Sequence, residues 1–196
     1  MSSRGRGLVV ALTALLAGCA QLPGFSDEAP APRLQLAPPP AAYRLEGRVS
    51  VRAGEENFSG GIAWRRDAAS EELLLSTPLG QGVAELRGDA RGVTLLDAKG
   101  REHRASDAET LVRERLGMAL PLRGLTWWVV GHPRPDSPYQ AEADADGRIA
   151  SLVQDQWRIE FSRYQAHGMH ALPGKLVARR GDDLEVRLVV DQWGLP

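Results

Sequence analysis

The chain has little cysteine, few aromatic residues, almost no net charge and no long apolar run, and these shortages exclude several classes of protein. One cysteine among 196 residues excludes an intrachain disulfide. A net charge of -1 disfavours the broad basic field that nucleic-acid binding requires. No apolar run approaches the roughly 20 residues of a transmembrane helix. With 43% hydrophobic residues, the composition is that of a globular domain with one sizeable core.

Residues 1–18 have the form of a secretory signal peptide, with a positive start and an apolar run from Leu8 to Leu16. Leu16-Ala17-Gly18-Cys19 resembles the bacterial lipobox, which implies diacylglycerol on the Cys19 sulfur and cleavage before Cys19. The alternative is an ordinary signal peptide followed by a stray thiol, which is a liability in an oxidising compartment. Ala20 in place of aspartate implies export to the outer membrane. We therefore expect a lipid-anchored protein on the periplasmic face of that membrane.

Residues 19–42 are rich in proline and alanine and include Pro38-Pro39-Pro40. This composition is typical of an extended or disordered linker. We expect it to tether a folded domain, residues 43–196, to the lipid on Cys19. Two or three acyl chains anchor a protein stably, at about 0.8 kcal/mol per buried methylene. Apart from this covalent lipid, no cofactor is expected.

From Tyr43 onward, apolar and polar residues alternate with the period of two that indicates β-strands. The alternation is clearest from Tyr43 to Val51 and from Leu184 to Val190. Seven further strands are predicted, at 58–64, 73–75, 83–86, 93–96, 149–153, 157–161 and 176–178. The pattern predicts a mainly β (α+β) domain built on a curved antiparallel sheet with one apolar face.

Two helices are predicted between the fifth and sixth of these strands. Ser106-Asp107-Ala108-Glu109 is a capping box that starts the first helix, and Gly117 is placed to end it. Pro121 begins a second, short helix whose apolar face includes Leu125 and Trp128. The order of strands, two helices and strands predicts that the helices pack across the concave side of the sheet.

The domain resembles the LolB family of outer-membrane lipoprotein receptors, from about Tyr43 to Trp193. The resemblance is carried by the Ser106 capping-box helix and by five segments, 58–64, 73–80, 125–131, 157–161 and 188–193. It implies an unclosed β-barrel of about eleven strands with a helical lid over a hydrophobic cavity. It also implies the partners: a LolA-like periplasmic carrier, the cargo lipoproteins that it delivers, and outer-membrane lipid. A monomer that moves its cargo without nucleotide hydrolysis is expected.

The resemblance also implies roles for particular side chains. Pro78, Leu79 and Gly80 form a turn between two strands, and a family leucine at this place projects from the loop and helps cargo enter the bilayer. The alternative is a turn leucine folded back onto the sheet. A second group falls at positions associated with the acyl-chain cavity, although simple core packing is equally consistent with them. This group comprises Trp64, Trp128, Trp157, Phe161 and Trp193.

No catalytic constellation is recognisable in the sequence. The serines lie in no nucleophile elbow, and His167-Gly168-Met169-His170 reads as a surface loop because no carboxylate or cysteine cluster accompanies it. We therefore expect neither an enzyme nor a metal site. Two alternatives to lipoprotein transfer stay open. A structural or protein-binding envelope lipoprotein would have a sealed core, and a lipid hydrolase would need a polar constellation inside the cavity.

Overall fold

The computed structural model describes residues 32–117 and 120–196, so the predicted signal peptide, Cys19 and the first part of the predicted tether lie outside the described residues. No helix in the described ranges is long and apolar enough to span a membrane. The strands before the helices are β1 (Tyr43–Ala53), β2 (Glu56–Arg66), β3 (Ser70–Ser76), β4 (Gly82–Asp89), β5 (Gly92–Asp97) and β6 (Glu102–Ala105). The helices are α1 (Ala108–Leu116) and α2 (Leu122–Trp128). The remaining strands are β7 (Tyr139–Ala143), β8 (Ile149–Gln154), β9 (Trp157–Ser162), β10 (Gln165–His167), β11 (His170–Leu172), β12 (Lys175–Arg180) and β13 (Leu184–Gly194).

Eleven strands form one antiparallel sheet, in the order β6-β5-β4-β3-β2-β1-β13-β12-β9-β8-β7. Most neighbours in the sheet are neighbours in the chain, and β13 closes the arrangement by returning beside β1. The outer strands, β6 and β7, are not paired with each other. The expected mainly β (α+β) fold, an unclosed barrel of about eleven strands with two helices, is confirmed.

The strands with the clearest period of two are also the longest. In β13, Leu184, Val186, Leu188 and Val190 are buried, and the residues between them are exposed or half-buried. The same alternation runs along β1 and β9. Because successive side chains of a strand point to opposite faces, one face of the sheet is apolar and buried. The core lies between this inner face and the two helices.

Four strands were not predicted, and all four are short. The sequences of β6 and β7, Glu-His-Arg-Ala and Tyr-Gln-Ala-Glu-Ala, are too polar to show an apolar stripe. The other two, β10 and β11, form a separate two-stranded hairpin. Residues 167–170 were expected to form a surface loop, but they form the turn end of this hairpin. His167 and His170 pair across this hairpin, and Met169 lies at its tip, 78% exposed.

The first helix begins where predicted but is capped by a different residue. Asp107, not Ser106, accepts the helical N–H three residues on, at 2.9 Å. Glu109 does not complete a capping box, because its carboxylate accepts the backbone N–H of Arg123 at 2.9 Å. This bond ties α1 to the start of α2. Gly117 ends α1 in the left-handed conformation, as predicted, with φ +69°.

Consecutive antiparallel strands reverse direction, so the turns that join them alternate between the two ends, or rims, of the unclosed barrel, which we also call the half-barrel. The turn at 77–81, between β3 and β4, shares its rim with the turns at 155–156 and 181–183. We call this the Leu79 rim. The opposite rim carries the β7–β8 turn, the β10–β11 hairpin and the first residue of β1.

The described part of the proline-rich segment, residues 32–42, has no regular secondary structure but makes contacts that its composition does not predict. The backbone N–H of Gln35 donates to the carbonyl of Gly147 at 2.7 Å. Nε2 of His132 lies 2.7 Å from the carbonyl oxygen of Ala37. Because Gly147 lies in the β7–β8 turn, this segment enters the domain at the rim opposite Leu79.

Candidate functional site

The turn between β3 and β4 presents a single large apolar side chain to solvent. The N–H of Gly80 donates to the carbonyl of Thr77 at 2.9 Å, which closes a four-residue turn with Pro78 at its second position. Gly80 has φ +83°, a conformation that other residues rarely adopt. In this turn the side chain of Leu79 is 90% exposed. It is therefore not folded back onto the sheet.

Close packing of β2 against β3 supports this turn at its base. A Cβ on Gly60 would lie 1.9 Å from the carbonyl oxygen of Ser76, the last residue of β3. Only glycine allows the two backbones to approach this closely. The glycine pair at 60–61 therefore lets β2 pack closely against the end of β3, the strand from which the Leu79 turn projects.

The inner face of the half-barrel is apolar, with one carboxylate placed within it. Glu71 occupies an inward position on β3, in line with buried Leu73 and Leu75. Its Oε1 accepts hydrogen bonds from Nε1 of Trp64 at 2.9 Å and from the Thr126 hydroxyl at 3.1 Å. A polar group among apolar neighbours is costly unless it is hydrogen-bonded, and these two donors meet that need.

The α2 helix closes the inner face through a second contact near this carboxylate. The phenol of Tyr43, on β1, donates to the backbone carbonyl of Thr126 at 3.2 Å. Burial of the phenol, and then the nearby charge of Glu71, raise the pKa of Tyr43, so the phenol stays protonated and can donate. Thr126 is thus bound to two strands of the sheet, to β1 through its carbonyl and to β3 through its hydroxyl.

On its other side, α2 is held to β8 through Trp128, which is fully buried. Its Nε1 donates to Oε1 of Gln154 at 2.9 Å. The amide of Gln154 in turn donates to the carbonyl oxygens of Arg134 and Ser137, at 2.8 Å and 3.0 Å. One buried glutamine therefore fixes both α2 and the connection that follows it.

A mainly apolar cavity of about 200 Å³, with Asp107, Arg123 and Thr126 on its polar side, lies between the two helices and strands β2 to β5. Drug-sized ligands usually occupy pockets of about 300–1,000 Å³, so this cavity is small for a lipid. The side chains of Trp64, Leu73, Leu86 and Leu122 line it, together with Glu71. The structure thus shows a closed form, in which α2 fills most of the space over the inner face.

The five aromatic residues assigned to a lipid cavity do not surround one space. Trp64 lines the apolar cavity, while Trp128 and Trp157 contact each other at 6.1 Å between ring centroids and line a separate, arginine-rich pocket. Phe161 is buried in the core. Trp193 is half-buried near the end of β13, edge-on to the ring of Tyr43. Their shared role in binding acyl chains stays a prediction.

Three polar residues that hold α2 to the sheet, Glu71, Thr126 and Gln154, were not predicted from the sequence. Glu71 carried a usable signal, because it continues the inward series of Leu73 and Leu75 at the period of two. Thr126 carried none, since a threonine in a helix reads as an ordinary surface residue. In the described residues, no group of three or more His, Cys, Asp or Glu is placed to hold a metal ion.

Comparison with known proteins connects this geometry to a family. Residues 41–193 match the family Outer membrane lipoprotein LolB. The chain is 39% identical to the LolB of Thiobacillus denitrificans over 191 residues, covering 97% of each chain. It is 40% identical to the LolB of Pseudomonas aeruginosa over 152 residues, covering 78% of this chain and 74% of the relative.

Among solved structures, a LolA superfamily protein from Nitrosomonas europaea shares the fold. The TM-score is 0.52 at 8% identity, with 82% of this chain and 88% of that chain covered. A likeness at this identity shows a common architecture and nothing finer. The relatives and the family match decide the assignment, and they confirm the resemblance: this chain belongs to the outer membrane lipoprotein LolB family.

Proposed function

We propose that this protein accepts lipoproteins from a LolA-type periplasmic carrier and inserts them into the outer membrane. Membership of the LolB family supports the role. The observation that carries the proposal is an apolar inner face, open at both sheet edges, that is covered by a short helix. Acyl chains would bind along this face once α2 moves aside.

The energy of moving α2 is within the reach of a lipid ligand. Four large apolar side chains, Leu122, Leu125, Trp128 and Val129, hold the helix region against the sheet. Exposing them would cost roughly 8 kcal/mol, at about 2 kcal/mol each. Breaking the hydrogen bonds of Tyr43, Thr126 and Trp128 adds about 1 kcal/mol each. Burial of about fourteen methylenes, at ~0.8 kcal/mol each, offsets the total of about 11 kcal/mol. A cargo lipid carries more methylenes than this, so binding can drive the opening without nucleotide hydrolysis.

The direction of transfer then follows from relative affinity. This protein has to hold acyl chains more tightly than the carrier does and less tightly than the bilayer does. The closed form favours release, because α2 returns to the inner face when the chains leave. The protein would act as a monomer, with residues 43–196 as the transfer domain.

We further propose that residues 1–18 are removed and that Cys19 carries the lipid anchor. The lipobox-like segment supports this, and residues 20–42 would link the anchor to the domain. The exposed side chain of Leu79 would then touch the bilayer. One leucine contributes only ~2 kcal/mol on burial, so it cannot hold the protein there. Its role would be to perturb the bilayer at the moment of release.

Leu79→Glu tests this role, and Met169→Glu is its matched control. Both side chains are apolar, exposed and at hairpin tips, but they lie on opposite rims. Substitutions at such positions usually change the free energy of unfolding by no more than about 0.5 kcal/mol. We expect both variants to melt like the wild type and to accept cargo from the carrier. Only Leu79→Glu should fail to release cargo into liposomes.

The two steps of the assay separate the possible failures. A Leu79→Glu variant that delivers cargo at the wild-type rate would remove Leu79 from the mechanism. A wild type that failed to accept cargo, or failed to bind a solvatochromic apolar dye, would indicate that its core is sealed. The small closed cavity favours that second candidate, a binding module of the envelope without lipid transfer.

A further inference from the structure

A second pocket, of about 270 Å³, opens beside α2 and is lined by four arginines. We call it the arginine pocket; it contains Arg113, Arg123, Arg134 and Arg180, with Glu109 and Asp155 as its only carboxylates. The pocket therefore carries an excess of two positive charges. A cluster of guanidinium groups in a concave site is the arrangement that binds phosphate or carboxylate.

Two of these arginines are already engaged by carboxylates. Arg134 makes a two-pronged contact with Asp155, with nitrogen–oxygen distances of 3.0–3.1 Å. Arg123 contacts Asp107 at 2.7 Å. These contacts position the two side chains and leave less of their charge for a ligand.

The other two arginines make no ion pair with any described residue. The guanidinium of Arg113 donates only to the hydroxyl of Thr110, at 3.3 Å. The guanidinium of Arg180 lies over the ring of Trp157, 5.0 Å from its centroid. Stacking on an aromatic ring orients the group while leaving its N–H donors free. Arg113 and Arg180 are therefore the side chains available to an anion.

The base of the pocket is apolar but closely covered. Trp128, Trp157 and Leu120 are each no more than 5% exposed, and Arg180 lies over the ring of Trp157. The pocket therefore offers a ligand charge more than apolar surface. At about 270 Å³, the space suits a headgroup better than a whole lipid.

The position of the pocket also favours a lipid. Arg180 ends β12, and Asp155 lies in the turn between β8 and β9, so both belong to the Leu79 rim. A rim that reaches a bilayer with an exposed leucine would also meet the phosphates at the bilayer surface.

We propose that the arginine pocket binds the phosphate of an anionic phospholipid headgroup, through Arg113 and Arg180. The lipid chains extend from the pocket towards the bilayer. Zwitterionic headgroups bind less well, because their ammonium groups would enter a positively charged pocket. The site goes beyond cargo transfer, since it recognises bulk lipid and needs no cargo.

The test uses the full lipidated protein in nonionic detergent with equal amounts of phosphatidylglycerol and phosphatidylcholine. Native mass spectrometry counts the phospholipid that stays bound. Loss of one charge-assisted bond to phosphate weakens binding by about tenfold. Arg113→Gln/Arg180→Gln should therefore retain at least about tenfold less phosphatidylglycerol than the wild type. Arg48→Gln/Arg91→Gln removes the same charge from exposed positions outside the pocket and should retain as much as the wild type.

Several outcomes would overturn the proposal. Equal retention by the pocket variant and the wild type would show that these arginines do not hold lipid. An equal loss in the control variant would assign the effect to net charge. Displacement of the lipid by equimolar inorganic phosphate, or by an acidic peptide at lower concentration, would assign the pocket to those ligands instead. Because no cargo is present, a failure of lipoprotein transfer would not affect this measurement.

Discussion

Thr126→Val should loosen the closure of α2 over the inner face while keeping the shape of the side chain. The hydroxyl of Thr126 has one proton to donate, and it lies within hydrogen-bond distance of two acceptors, Glu71 at 3.1 Å and the carbonyl of Leu122 at 2.9 Å. Valine removes both contacts. The carboxylate of Glu71 keeps Trp64 as a donor, so the main loss is the bond between helix and sheet.

The magnitude follows from two opposing contributions. A hydrogen bond to a charged group contributes about 1.5–3 kcal/mol, and the added methyl group of valine returns up to about 0.8 kcal/mol on burial. The substitution should therefore destabilise the closed position of α2, relative to the displaced one, by about 0.7–2.2 kcal/mol. That corresponds to an increase of roughly threefold to fortyfold in the population with α2 displaced.

Hydrogen exchange measures this population directly. The amides of Leu125 and Val129 are bonded within α2, at 2.8 Å and 2.9 Å, so they exchange when the helix opens. They should exchange faster in Thr126→Val by the stated factor, while the amides of β13 stay as protected as in the wild type. Thr126→Ser, which keeps the hydroxyl, is the control. Unchanged exchange in α2, or equal acceleration in β13, would refute the idea that Thr126 latches the helix.

Two further predictions concern the segment before β1. Cys19→Ala should prevent lipidation and release the protein from the membrane fraction, as seen by fractionation and by mass spectrometry of the N-terminus; an unmodified Cys19 in a stably membrane-bound wild type would contradict this. His132→Ala removes the contact with Ala37. Trypsin should then cleave after Arg33 faster, with little change in the melting temperature. Unchanged cleavage would show that this contact does not hold the segment.

Much of the fold could be predicted because its long strands follow the period of two so closely. The alternation in β1 and β13 identifies which residues face inward, since an alternating strand has only two faces. Gly117 and Pro121 mark the end of one helix and the start of the next through backbone constraints that need no tertiary context. The turn at Leu79 was predicted in the same way, from proline and glycine, whereas the projection of its side chain was implied only by the family resemblance.

The short, polar elements could not be predicted. β6 and β7 are strands because a neighbouring strand offers its unpaired backbone groups, and nothing in their own residues requires this. The choice of Asp107 over Ser106 as the helix cap depends on how the chain leaves β6. The contacts of Gln35 and Ala37 depend on carbonyl and imidazole groups more than 90 residues away in the chain.

The sequence by itself determined the family and the inward face of each long strand, because these depend on local pattern, and it predicts the signal peptide and the anchor in the same way. Only the tertiary structure decided what lies opposite that face. It placed Glu71 beneath Thr126, and it put Trp64 in the cavity under α2 but Trp128 and Trp157 in the arginine pocket. A periodic pattern specifies the direction of a side chain, but the group that it meets depends on how distant strands and helices pack around a common core.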